Sequence, residues 1–317
     1  MAPPPSSSGR VIMRGLADPV VWLGPRGLYV ITPSDNAPGE ETVRLVEPST
    51  GKLEATDRLP GLLVSWPHMV LSPGELWLTT QARTGKTSWV YDLVALGAGD
   101  LRLRHRVDLG EPAELGLAAA GGWVWVETTH YLAKVAPATG KVVGTVPLPA
   151  TDTGDLASDQ SGKTLVSVHW GDVLDLLNPS TGRTTASYQG VQGDGGYVAG
   201  VADGQVFVSS GIGHESSYQR FDTYGRKFYT IYGWGYGPDI VVSGNRFLYN
   251  VYTGYKAPVT APNYCGATAT GQPLAALPAA ATPPRGKAVG YAAGTLYYLN
   301  TGAALDDLER TALAGCR

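Results

Sequence analysis

A six-residue turn recurs along this 317-residue chain. Its clearest copies are Glu47-Pro-Ser-Thr-Gly-Lys, Ala136-Pro-Ala-Thr-Gly-Lys and Asn178-Pro-Ser-Thr-Gly-Arg, with looser ones at Asp222-Thr-Tyr-Gly-Arg and Ala267-Thr-Ala-Thr-Gly-Gln. The glycines Gly51, Gly140, Gly182, Gly225 and Gly271 are 89, 42, 43 and 46 residues apart. The first interval is close to twice the others, which predicts a degenerate copy near residue 97, within Asp92-Leu-Val-Ala-Leu-Gly-Ala-Gly. Short strands repeating with a period in the forties are the signature of a β-propeller.

A second turn keeps the same beat. Gly24-Pro-Arg-Gly, Ser72-Pro-Gly, Gly121-Gly122, Asp159-Gln-Ser-Gly, Asp203-Gly, Ser243-Gly-Asn and Ala293-Gly each separate two apolar runs. Hairpin turns place residues at positive φ, which favours glycine. After each turn comes a run suited to a buried strand, such as Leu28-Tyr-Val-Ile, Trp123-Val-Trp-Val and Leu296-Tyr-Tyr-Leu. Seven turns and seven strands predict an all-β, seven-bladed propeller of four-stranded antiparallel blades. The last unit ends after three strands, and Arg10-Val-Ile-Met-Arg precedes the first. Arg10–Arg14 is therefore expected to complete the last blade, closing the ring and removing an open sheet edge. Residues 1–9 are Pro/Ser-rich and expected to be disordered, leaving 10–317 as one propeller domain.

Composition removes several classes of function. A net charge of −3 and the lack of any Lys/Arg run argue against nucleic acid. No apolar stretch approaches the ~20 residues of a membrane helix. The first nine residues lack the basic and apolar regions of a signal peptide. Two readings fit them: a cytosolic chain with a ragged start, or a mature extracytoplasmic domain whose leader has been removed. The two cysteines, Cys265 and Cys316, fall near the third strands of the last two blades. They are either bridged, which would suit an oxidising compartment, or unpaired.

Ser158-Asp-Gln-Ser-Gly-Lys-Thr-Leu, taken with Val135-Ala-Pro-Ala-Thr-Gly-Lys-Val-Val-Gly-Thr-Val-Pro-Leu, resembles the repeats of YVTN-type and PQQ-like propellers over nearly the whole chain. The resemblance implies a seven-bladed fold, a bacterial and extracytoplasmic setting, and functions that range from surface-layer and periplasmic binding proteins to lyases and sensors. Streptogramin lyases of this architecture use a His/Glu pair and magnesium. His214-Glu215 is such a pair here, without the surrounding motif, so those roles are not transferred.

A propeller ligand is expected at the channel mouth, on loops that enter the inner strands and loops that join second to third strands. Four of the five histidines, His68, His130, His169 and His214, fall in these loops. His169, His214 and Glu215 are the candidates for acid/base catalysis or for holding a divalent cation, because both tasks need groups that titrate or ligate near neutral pH. The candidate ligand-binding set is His68, His130, Trp170, Asp172, Tyr197, Tyr218, Trp234, Tyr236 and Asp239, in which aromatic platforms lie beside polar groups. No nucleophile elbow, Walker loop or dinucleotide fingerprint occurs. The sequence therefore favours a non-catalytic, monomeric binding or scaffold propeller that holds a small molecule, glycan or protein. The competing reading is a metal-assisted lyase or hydrolase.

Overall fold

The second strand of each repeat is a continuous apolar run, and a run of that kind is stable only where both of its faces are covered. The computed structural model describes residues 10–34, 40–64, 69–84, 88–113, 116–148, 154–169, 173–191, 197–210, 216–235, 240–249, 263–270, 273–277, 286–301 and 305–313. Among them every regular element is a β-strand. The strands follow one another as antiparallel meanders. Val20–Gly24, Gly27–Pro33, Glu41–Val46 and Leu53–Arg58 form one sheet. In the next, Met69–Ser72 and the short Leu62–Leu63 both pair with Glu75–Arg83, followed by Trp89–Gly97 and Leu103–Asp108.

An eight-stranded sheet comes third. Its first half is Gly116–Ala120, Trp123–Glu127, Tyr131–Ala136 and Lys141–Pro147; its second is Gly154–Ser158, Leu165–His169, Val173–Leu177 and Thr184–Gln189. The halves meet through a parallel pairing of Gly116 with Leu156. Tyr197–Ala202, Gln205–Ser210, Ser216–Asp222 and Lys227–Gly235 make the fourth sheet, and Ile240–Ser243, Arg246–Tyr249, Asn263–Ala267 and Pro273–Leu277 the fifth. In the sixth, Gly286–Ala292, Thr295–Thr301 and Asp306–Ala312 are joined by the chain's first strand, Arg10–Leu16. The architecture is an all-β propeller.

The core lies between sheets, not within them. Tyr29, Ile31 and Leu45 of the first sheet pack with Leu76, Leu78, Val94 and Leu96 of the second. Leu28, Val30 and Val46 pack on the other side with Tyr297, Leu299 and Leu308. Leu165–His169 is buried along its whole length. Cys265 is fully buried and disulfide-bonded; the other cysteine of the chain, Cys316, lies outside the described residues.

The recurrent turn has a physical explanation. Gly51, Gly140 and Gly182 each donate their N–H to the carbonyl four residues back, at 2.8–2.9 Å, and each sits at positive φ. Gly182, at φ +69°, also has no room for a side chain, because a Cβ there would lie 2.6 Å from the buried Trp125 ring of the preceding half-sheet. At Gly140 the obstacle is His105 of the preceding sheet, 2.7 Å away. The degenerate copy is centred on Leu101, whose N–H bonds Gly97 O at 2.8 Å in the same pattern. Leu101 adopts φ 58° and buries its side chain against the preceding sheet. In the copy at Asp222 the left-handed residue is Arg226, φ 54°, one position beyond Gly225.

Candidate functional site

Buried carboxylates gather at the end of the sheets where first strands begin and second strands finish. Glu127 closes the apolar strand Trp123–Glu127 and is 1% exposed. One of its oxygens, Oε1, accepts the Gly154 N–H at 2.7 Å, and Oε2 accepts the Ser167 hydroxyl at 3.4 Å. Burial pushes its carboxyl up to about 8, and nearby Asp155 adds to the rise; the Gly154 N–H, the His169 ring and Ser167 oppose it.

Two more carboxylates act in the same way. Asp155 Oδ2 accepts the Val198 N–H at 2.6 Å, and Glu41 Oε2 accepts the Leu63 N–H at 2.7 Å. Burial raises the Glu41 pKa, with the Leu63 bond opposing. Glu41, Glu127 and Asp155 thus each accept a backbone N–H from the unit that follows in the chain. They tie neighbouring units together at one end.

His169 ends the strand Leu165–His169 and is 8% exposed. Its Nε2 lies 3.4 Å from Asp175 Oδ2, which also accepts the Thr184 hydroxyl at 3.3 Å. Burial alone would raise the Asp175 pKa. Bonds from His169, Ser187 and Thr184, with the charge of His169, outweigh it and hold the carboxyl below its ordinary range. His130 is exposed, with Nδ1 3.1 Å from Glu111 Oε1 and its N–H donating to Glu111 Oε2 at 3.2 Å. The two histidines are held by different carboxylates.

Tyr197 opens the strand Tyr197–Ala202 and is 44% exposed. Tyr218 lies on the strand Ser216–Asp222, in register with Ser209 and Tyr232, and Trp234 lies on Lys227–Gly235. His68, Trp170, Asp172, His214, Glu215, Tyr236 and Asp239 lie outside the described residues. Among the described residues no group of three or more His, Cys, Asp or Glu could hold a metal ion. No helix among them is long and apolar enough to cross a membrane.

Sequence reasoning missed Glu41, Glu111, Glu127 and Asp175. A carboxylate at the end of an apolar strand, as in Trp123-Val-Trp-Val-Glu, was the available signal, since such a group must find a donor once buried.

No protein-family model and no curated protein matches the sequence. Among solved structures, the chain is similar to BamB from Moraxella catarrhalis, with 12% identity, a TM-score of 0.58, and coverage of 94% of this chain and 95% of that one. It is also similar to the Neurospora crassa Pan2 WD40 domain, with 9% identity, a TM-score of 0.62, and coverage of 93% and 89%. Both likenesses are of fold: a β-propeller spanning almost the whole chain.

Proposed function

We propose that this chain is a non-catalytic scaffold that holds a protein partner on its channel-mouth end. One observation carries the reading. Four carboxylates near that end are engaged within the fold: Glu127 and Asp155 accept N–H groups from the following units, and Asp175 and Glu111 hold His169 and His130. Groups occupied in that way shape a surface, whereas an acid/base catalyst needs an open face toward its substrate. Tyr197, 44% exposed at the start of an inner strand, supplies the kind of amphipathic aromatic that protein interfaces favour.

The ring is read as one domain of seven blades. Dividing the eight-stranded sheet at its parallel bridge gives two four-stranded meanders and brings the number of units to seven. Closure rests on Arg10–Leu16, which pairs with Asp306–Ala312 from Arg10↔Arg310 to Leu16↔Asp306. It rests also on Gly290, where a Cβ would lie 2.5 Å from that of Leu23, so the last inner strand abuts the first. The disulfide at Cys265 supports an extracytoplasmic, oxidising setting.

A photo-crosslinking residue at Tyr197 tests the reading, with one at Tyr224, 81% exposed on the opposite end, as reference. A protein adduct at 197 without one at 224 is the expected result. A stoichiometric divalent ion in purified protein, with an activity lost on chelation, would overturn the reading in favour of the metal-assisted lyase or hydrolase.

A further inference from the structure

We propose that the end of the sheets opposite the channel mouth docks on an anionic lipid surface, through basic residues with apolar neighbours that open the outer strands. Each outer strand starts at this end, and in six units a basic residue stands where it starts: Lys52, Arg102, Lys141, Arg183, Lys227 and, on the chain's first strand, Arg10. The equivalence is one of backbone. The carbonyls of Lys52, Arg102 and Arg183 accept the N–H of Glu47, Gly97 and Asn178, which closes each turn. Lys141 pairs with Ala136, Lys227 with Asp222 and Arg10 with Arg310. In sequence these charges lie about 40–50 residues apart and form no Lys/Arg run; the fold gathers them at one end.

All six are exposed. Among the described residues none of them lies within ion-pair distance of a carboxylate. Most carboxylates of the same end are occupied within the fold. Glu47, Asp100, Asp159 and Asp222 accept N–H groups of their own turns, Glu75 lies 3.5 Å from His105, and Asp203 accepts the Thr268 hydroxyl. Glu54 stays exposed, but so do Arg26, Lys163 and Arg226 on turns of that end.

Apolar side chains stand in water beside the charges. Leu53, Leu103 and Val143 are 50%, 48% and 53% exposed, and Tyr224 projects from the turn before Lys227. Basic residues flanking exposed apolar ones make an interfacial surface, which gains from headgroup charge and from burying apolar area together. The layout also favours a membrane over a small anion or a short acidic peptide. The six charges belong to successive units, so they do not converge on a point, and a continuous anionic surface is the occupant that meets them together.

Cosedimentation of the full chain with vesicles tests this, comparing roughly one-third phosphatidylglycerol in phosphatidylcholine with phosphatidylcholine alone at ~0.1 M salt. The anionic vesicles should bind it and the neutral ones should not. Each basic residue near such a surface is worth about 5-fold in affinity, so Lys52→Gln with Lys141→Gln should weaken binding ~25-fold. Arg14→Gln with Arg58→Gln removes the same charge away from this end and should leave binding within ~2-fold. Val143→Ser should weaken it ~4-fold or more, as loss of a buried methylene does. Unaltered circular dichroism and Tm would establish that the variants fold. An environment-sensitive fluorophore at Tyr224 should shift to the blue on the vesicles, and one at Tyr197 should not. Equal binding to both vesicles, or equal loss in the two double variants, overturns the proposal. So does saturation of this end by soluble poly-glutamate with no binding to the vesicles, which would assign it to an acidic protein.

Discussion

Replacing Gly182 with alanine tests why the Thr-Gly turn recurs. Two costs are combined at this position and are separated at Gly74. Both glycines sit at left-handed φ, +69° and +79°, but a Cβ at Gly74 meets nothing within 4 Å, while one at Gly182 lies 2.6 Å from the Trp125 ring and 3.2 Å from Leu132. The conformational cost alone is about 1–2 kcal/mol. Trp125 is fully buried, and its Nε1–H donates to Pro179 O of the same turn at 3.1 Å, so the ring cannot move aside without losing that bond. Overpacking adds about 1–3 kcal/mol. Gly74→Ala should therefore lose about 1–2 kcal/mol and Gly182→Ala about 2–5 kcal/mol. At roughly 2 °C per kcal/mol for a chain of this size, the Tm shifts are about 2–4 °C and 4–10 °C. Calorimetry with urea titration reads both losses, and tryptophan emission reports whether the ring has shifted. Equal losses at the two positions would refute the steric half of the argument.

Further outcomes follow from the same geometry. Leu101→Ala should cost about 2–5 kcal/mol through the cavity it leaves, yet Leu101→Gly should be at least as stable as the alanine variant, because φ is 58° there; thermal melts of the two decide it. Glu127, raised to about 8 against an ordinary 4.5, stays protonated in the folded chain while its unfolded counterpart ionises. It therefore drains stability as pH rises from about 4.5 to 8, with a slope on the order of 1 kcal/mol per pH unit. Glu127→Gln keeps an acceptor for the Gly154 N–H and should flatten that slope in urea titrations between pH 5 and 8; an unchanged slope would count against a buried neutral carboxyl. Asp155→Ala leaves the Val198 N–H without its acceptor and should cost about 1–3 kcal/mol, with faster amide exchange at Val198 by NMR.

The propeller was legible because its turns repeat and its glycines answer a local backbone demand. Gly51, Gly140 and Gly182 could be read from sequence for that reason. Leu101 could not. A leucine in the left-handed region carries no turn signature, and the burial that compensates it comes from residues such as Tyr29, far away in sequence. Arg226 escaped notice because the adjacent Gly225 offered an easier match. The candidate site was less legible still. Polar loop residues can be counted in a sequence, but the bond from Gly154 to Glu127 spans 27 positions and that from Val198 to Asp155 spans 43. Nothing local announces which carboxylate will be buried and which N–H it will receive. His169 stands among the sequence's loop candidates, and the carboxylate of Asp175 on the neighbouring strand, 3.4 Å from its Nε2, is six positions away with no motif to mark it.

The pairing of the first strand with the last also sets how the molecule bears load. Arg10 stands opposite Arg310, and the strands run antiparallel, so the chain leaves this sheet at one and the same end in both directions. Tension between the two ends would break the bonds in succession from Arg10 inward, peeling the strand away instead of shearing the whole ladder at once. Such a seam opens one pair of bonds at a time, and so under less tension than a ladder sheared along its length.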